Sequence, residues 1–173
     1  KKRTSLKPAS SSTKQGERLA GTKKGMKLYS AKGANSPRKV LIFIAEKNIS
    51  DIEVVNLDLM QGEHKSPEYR AIAPNAKVPA LVLDDETIIT ESTAICRYLE
   101  DLYPEPSLFG SSSIEKAAIE MWQNRVVFEL MLPLAMTFRH THPAMAQMEN
   151  QNASYGEQQR DVALGSLKYF DKH

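Results

Sequence analysis

The sequence predicts an α/β unit followed by an all-helical unit. Two observations carry that prediction, and a third sets the front of the chain apart. Residues 26–103 alternate short apolar runs with helix-start signals in the order β-α-β-α-β-β-α. No strand signal follows Pro106, where two stretches keep helical spacing. The basic residues gather at the front of the chain: residues 1–25 hold eight Lys/Arg and one acidic residue, Glu17, whereas the remainder holds fifteen basic and twenty acidic residues.

The opening strand is 26–30, "MKLYS". Residues 40–47, "VLIFIAEK", could form a buried strand by propensity alone. The residues before them favour a helix, with Ser36 as N-cap and Pro37 at the first helical position. Residues 52–57 form the second strand. Ser66 and Pro67 repeat the helix-start signal and give a short helix to residue 72. Residues 79–83 form a strand, 84–86 a turn and 87–89 its hairpin partner. Ile95, Tyr98, Leu99 and Leu102 recur at helical spacing, capped at 90–92 and ended before Pro104. Ser111–Ser113 cap one long helix over 114–139, and a last helix runs from 154 to the end. The organisation is therefore a basic arm over 1–25, an α/β unit over 26–106 and a helical unit over 111–173.

Forty-one per cent of the 173 residues are hydrophobic, enough for a sizeable core. No apolar run approaches the roughly eighteen residues that span a bilayer, so no membrane role is expected. The single cysteine, Cys96, excludes an internal disulfide framework and suits a reducing cytoplasm. It reads as a small buried residue. His64, His140 and His142 do not fall at a metal-ligand spacing, so no metal is expected. "RHTHP" reads as a helix end, because Pro143 stops the helix.

The arm is rich in Lys, Ser and Thr, with Leu6 and Leu19 its large apolar residues. It cannot bury enough surface to offset the entropy of ordering, and reads as a disordered, solvated tail. A secretory signal is excluded by the missing apolar core, whereas a basic, Ser-rich transit peptide is compatible with the composition. Nucleic acid is not the expected partner, although a basic arm is the feature that would bind it.

Five motifs occur in order: "MKLYS", "SPRKV", "GEHKSPEY", "KVPAL" and "ESTAICRYL". Together they resemble the cytosolic glutathione transferases, of bacterial theta- or nu-like type. The long helix with "MWQNRVVFE" and "FRHTHP" resembles bacterial members as well. The resemblance implies a thioredoxin-like N-terminal domain, then a helical C-terminal domain. It also implies an incomplete helical domain, since members of the family continue through several more helices. Glutathione is the implied co-substrate, a small electrophile its partner and a homodimer the implied assembly. Conjugation is the implied activity. Glutathione-dependent peroxide or disulfide reduction and a non-catalytic interaction module are the alternatives.

The residue chemistry agrees with a peptide thiol. A cis prolyl bond at Val78-Pro79 would expose the backbone N–H and C=O of Val78 to an extended peptide. Glu91 and Ser92 open a helix, where they serve as capping residues. The same geometry lets Ser92 take a carboxylate and Glu91 an ammonium. The resemblance carries the γ-glutamyl group to these two positions, and His64 to the glycyl end. Lys77 is set to meet a carboxylate. At the thiol end, theta- and phi-like members place their catalytic serine where this chain has Ala34, and nu-like members carry an Asn that aligns with Ser36. Ser36 is the expected sulfur contact, Asn35 the second choice and Ser30 the third, each stabilising a bound thiolate. A second departure is Ala73-Pro74-Asn75-Ala76-Lys77, where the family usually has Gly at the position of Ala76. The loop is expected to differ there, because glycine takes positive φ freely. Trp122, Arg125 and Glu129 are the helical-domain residues set to approach the electrophile or the two-fold interface.

Overall fold

The computed structural model describes residues 25–173. The basic arm read over residues 1–25 lies, apart from Gly25, outside them. The chain divides into two compact units, one up to residue 95 and one from residue 96.

The first unit holds β1 (Met26–Ser30), α1 (Asn35–Glu46), β2 (Ile52–Asn56), a 3-10 turn at Glu63–Lys65, α2 (Pro67–Ile72), β3 (Ala80–Val82) and β4 (Ile88–Thr90). Helix α3 (Ser92–Leu102) starts there and runs across the division. The strands form one sheet in the order β2-β1-β3-β4. β1 and β2 are parallel, as a strand–helix–strand crossover requires, and the other two pairings are antiparallel. With its helices this is a thioredoxin-like mixed sheet.

β1 alternates between buried and half-buried positions, with Leu28 fully buried. α1 turns Pro37, Val40 and Phe43 inward at threefold spacing. Val40, Leu28, Leu81 and Ile95 are all 0% exposed. Each such aliphatic side chain contributes roughly 1.5–3 kcal/mol through burial. Tyr69, Ala73 and Ala80 form a second cluster, joined by Tyr29, Leu57, Ile72 and Val78. In the β3–β4 hairpin the Asp85 carboxylate accepts the Thr87 N–H at 2.9 Å, which holds it below its ordinary range.

The second unit contains α4 (Ser113–Arg125), a π-helical segment (Val126–Met131), α5 (Leu132–Thr141), a 3-10 turn (Pro143–Met145) and α6 (Ala153–Phe170). The single helix expected over 114–139 is thus interrupted. Pro133 explains the break, because it has no N–H to give to the carbonyl four residues back. The helix widens instead, and the Leu132 N–H reaches Val127 O, five residues back. The Glu129 carbonyl, which Pro133 cannot serve, accepts from Ser166 Oγ at 2.6 Å and so ties the break to α6. α6 meets α5 closely at Gly156, where a Cβ would lie 2.6 Å from Thr141 Cγ2. No helix among the described residues is long and apolar enough to cross a membrane.

Candidate functional site

The sheet register gathers most of the expected site residues at one end of the first unit. Tyr29 pairs with Ala80, and Ala80 pairs with Thr90. β1 and β4 finish at this end, and β3 begins there. Just beyond the row lie the start of α1, the Val78-Pro79 bond and the start of α3. β2 ends here too, since Ser30 pairs with Asn56 and Leu57 N–H donates to Ser30 O at 2.8 Å. The segment carrying His64 follows from that strand end.

The start of α1 corrects the expected cap. The helix begins at Asn35, its N-cap is Ala34, and no side chain caps it. Ser36 and Pro37 are its second and third residues. The cause is the preceding turn: Ala34 N–H donates to Ala31 O at 3.2 Å, and the Ala34 carbonyl already accepts from Arg38 N–H at 3.3 Å. Gly33 supplies that turn with φ +78. Pro37 is tolerated because a first-turn residue needs no N–H. Asn35 and Ser36 are exposed, and no side-chain cap takes the first-turn N–H groups. Ser30 is different. It is 0% exposed, and its Oγ is buried without a hydrogen-bond partner.

The Val78-Pro79 peptide is cis. Val78 stands outside the ladder, which begins at Ala80. The residue before it is held by a contact that sequence reasoning missed: Tyr69 Oη donates to Lys77 O at 2.6 Å. Tyr69 is 3% exposed, and burial, helped by neighbouring Tyr29, pushes its pKa up to about 12. Its hydroxyl therefore stays a donor at ordinary pH. Ala76 takes φ +53, so the loop keeps a left-handed residue without glycine. That conformation costs an alanine roughly 1–2 kcal/mol. The Lys77 side chain is exposed.

Glu91, exposed, has φ +67, and its carbonyl accepts from Ile95 N–H at 3.0 Å to begin α3. A non-glycine residue in this region is strained, and such residues cluster at ligand sites. Half-buried Ser92 is the first residue of α3. Lys39 Nζ donates to Thr93 Oγ1 at 2.8 Å and joins α1 to the first turn of α3. Nothing in the sequence pairs these two residues, which lie 54 positions apart. His64 lies in the 3-10 turn with its Nδ1 buried and unpartnered. An orphaned buried ring nitrogen invites a ligand or a water.

In the second unit the remaining candidates have structural partners. His142 Nδ1 accepts from Ala144 N–H at 3.2 Å, and His140 Nδ1 from Asn152 N–H at 3.1 Å. Arg125 stacks on Trp122, 5.1 Å from the ring centre, and donates to Tyr169 Oη at 2.8 Å. Glu129 uses its backbone carbonyl, as described above. Among the described residues no cluster of His, Cys, Asp and Glu is arranged to hold a metal.

A family model for the N-terminal domain of glutathione S-transferases matches residues 28–107. Glutathione S-transferase 2 of Saccharomyces cerevisiae is 39% identical over 152 residues, which is 86% of this chain and 65% of that protein. This chain thus spans under two thirds of that relative's length. The crystal structure of Gtt2 from Saccharomyces cerevisiae superposes with a TM-score of 0.75 at 38% identity, covering 84% of this chain and 72% of the other. A structure of Ure2p in complex with glutathione superposes with a TM-score of 0.70 at 26% identity, over 83% of this chain and 60% of the other.

Proposed function

The chain belongs to the glutathione S-transferase family, and on that premise we propose that it binds glutathione across the strand ends of its first unit and joins the sulfur to a small electrophile. One observation supports the reading: the Tyr29–Ala80–Thr90 row brings three features of a kind that can serve a ligand to one sheet end. The first is an uncapped helix start, the second a backbone peptide edge and the third a strained helix N-cap.

The roles follow from chemistry. Ser92 and the start of α3 take the γ-glutamyl carboxylate, and Glu91 takes its ammonium. The backbone of Val78 pairs with the cysteinyl peptide as an added strand would. Lys77 and His64 serve the glycyl carboxylate. The sulfur then meets Asn35 and Ser36 at the start of α1. A free thiol near pKa 8.5 is mostly protonated at neutral pH. First-turn N–H groups and the Ser36 hydroxyl stabilise the thiolate and lower that pKa. The thiolate attacks the electrophilic carbon, a C–S bond forms, and the leaving group departs with its electron pair. Ser36 acts as a donor to a bound nucleophile. A serine nucleophile needs an adjacent base, and none is needed in this scheme.

We further read the chain as a cytoplasmic, theta- or nu-like member acting as a homodimer. The buried Cys96 suits a reducing compartment. The test is calorimetric binding of glutathione, followed by turnover with a generic aryl halide and with a peroxide. Binding with aryl halide turnover supports the transferase. Turnover with peroxide alone moves the reading to reduction, and binding without turnover moves it to an interaction module. A folded sample that does not bind glutathione overturns all three.

A further inference from the structure

We propose that Lys39 is a positioning residue of the glutathione site. It sets the spacing between the two helix starts that hold opposite ends of the ligand, and it adds a positive charge that favours the thiolate. The proposal rests on the glutathione reading above and deepens it.

The observation is the 2.8 Å hydrogen bond from Lys39 Nζ to Thr93 Oγ1. Lys39 lies three residues after Ser36 and four after Asn35, so all three share one face of α1. Thr93 adjoins Ser92 in the first turn of α3. The bond therefore runs from the helix that meets the sulfur to the helix that meets the γ-glutamyl group. A ligand that engages both ends binds best when their separation is already correct. Both helix starts carry the positive end of a dipole. An ammonium held between them raises the local potential further. Glutathione has two carboxylates and one ammonium, and ionising the thiol adds a second net negative charge. The lysine thus favours the thiolate form more than the thiol form.

A strap that served only folding would leave the ionisation of the ligand untouched. That difference defines the test, made on the full chain. Glutathione and S-methylglutathione are titrated by calorimetry, and the bound thiol is followed against pH by the ultraviolet absorbance of the thiolate. For Lys39→Met, glutathione affinity falls roughly 5- to 10-fold, and the bound thiol ionises at a higher pH. S-methylglutathione, which has no charge on sulfur, loses less. Lys39→Arg restores most of the affinity and the pH profile, because it keeps the charge and a donor. Thr93→Val keeps the charge but loses the acceptor. It weakens both ligands alike and shifts the thiol profile less than Lys39→Met does. The double variant Lys39→Met/Thr93→Val is no weaker than Lys39→Met alone, since the two share one bond.

If Lys39→Met binds and ionises glutathione as the wild type does, the proposal is overturned while the glutathione reading stands. It is overturned in the same way if affinity falls only in step with thermal stability and the pH profile stays fixed. A folded wild type that fails to bind glutathione removes the glutathione reading and this one together. Should Lys39→Met fail to fold, Lys39→Arg and Thr93→Val still decide: unchanged affinity in Thr93→Val, or an Arg variant that loses affinity and ionises the thiol at a higher pH, overturns it.

Discussion

The start of α1 and the starts of α2, α4 and α6 are built on opposite plans. In α2 the Ser66 hydroxyl accepts from Tyr69 N–H at 3.2 Å, in α4 Ser112 accepts from Glu115 N–H at 3.2 Å, and in α6 Asn152 accepts from Tyr155 N–H at 3.1 Å. Each cap takes the N–H of the third helical residue. In α1 the cap position is Ala34, which has no acceptor, and the third residue is Pro37, which has no donor. Three helix starts are closed by their own side chains, and one stays open where the sulfur is proposed to bind. A satisfied N-terminus serves stability. An open one keeps its N–H groups for a ligand.

Alanine at Ser36 and at Ser112 should therefore do opposite things. A hydrogen bond to a charged group is worth about 1.5–3 kcal/mol, so Ser36→Ala is expected to lower turnover with glutathione roughly 10- to 100-fold. Because Ser36 caps nothing, the melting temperature should hardly change. Ser112→Ala is expected to cost about 1 kcal/mol of stability and leave glutathione affinity as it was. Its partner Glu115 has a pKa lowered to about 2, chiefly by the backbone N–H groups of Ser112 and Ser111. A depressed carboxylate contributes stability above its ordinary pKa, and that contribution is lost as pH falls from 4.5 through 2. Acid unfolding should show a step in this window that Glu115→Gln removes. If Ser36→Ala instead destabilises the fold and spares turnover, the contrast between the two starts collapses.

Tyr69 tests the peptide edge, and its expected effect is smaller. Tyr69→Phe removes the bond to Lys77 O and should cost about 1–2 kcal/mol. It should also raise the KM for glutathione by loosening the segment that leads into Val78. The pH dependence has a definite sign. The folded pKa of about 12 lies above the ordinary tyrosine value of 10.0, so the neutral hydroxyl contributes stability that is complete below pH 10. That stability is lost as pH rises through 12. Alkaline melting curves of the wild type should approach those of Tyr69→Phe across this window. Parallel curves would remove Tyr69 from the account.

The sheet end is legible in the sequence because its residues announce themselves locally. Pro79, Glu91 with Ser92, and the Ser–Pro pair at 66–67 each have a backbone reason visible in sequence. The α1 cap misleads for an instructive reason: Ser36-Pro37 has the same local signal as Ser66-Pro67. What moves the start back to Asn35 is the Ala31–Ala34 turn, and such turns depend on the strand that delivers the chain. The π segment is hidden because Pro133 could equally have kinked or ended a helix, and a donor to the freed Glu129 carbonyl comes from Ser166 on α6, 37 residues away. The bonds from Tyr69 to Lys77 and from Lys39 to Thr93 are invisible because tertiary hydrogen bonds leave no periodicity. Ala76 shows the reverse, for the missing glycine is plain in the sequence and the turn forms in spite of it.

The smallest expected effect gives the sharpest test of why α1 stays open. Ala34 already has N-cap dihedrals, φ −77 and ψ 135, so Ala34→Ser fits without strain. At an ordinary helix start a serine cap gains about 1 kcal/mol over alanine. Here the third residue is Pro37, and the usual donor is absent. Ala34→Ser alone should therefore stabilise by less than about 0.5 kcal/mol and leave turnover within about twofold. Pro37→Ala restores the missing N–H, at some loss of packing because Pro37 is buried. In that background Ala34→Ser should gain the full cap, so a double-mutant cycle is expected to show about 0.5–1 kcal/mol of favourable coupling. Turnover should fall most in the double variant, where the start of α1 is closed as in α4. A full gain from Ala34→Ser alone would mean that the missing donor of Pro37 is not what keeps the site open. A double variant that is both capped and fully active would separate the open helix start from catalysis altogether.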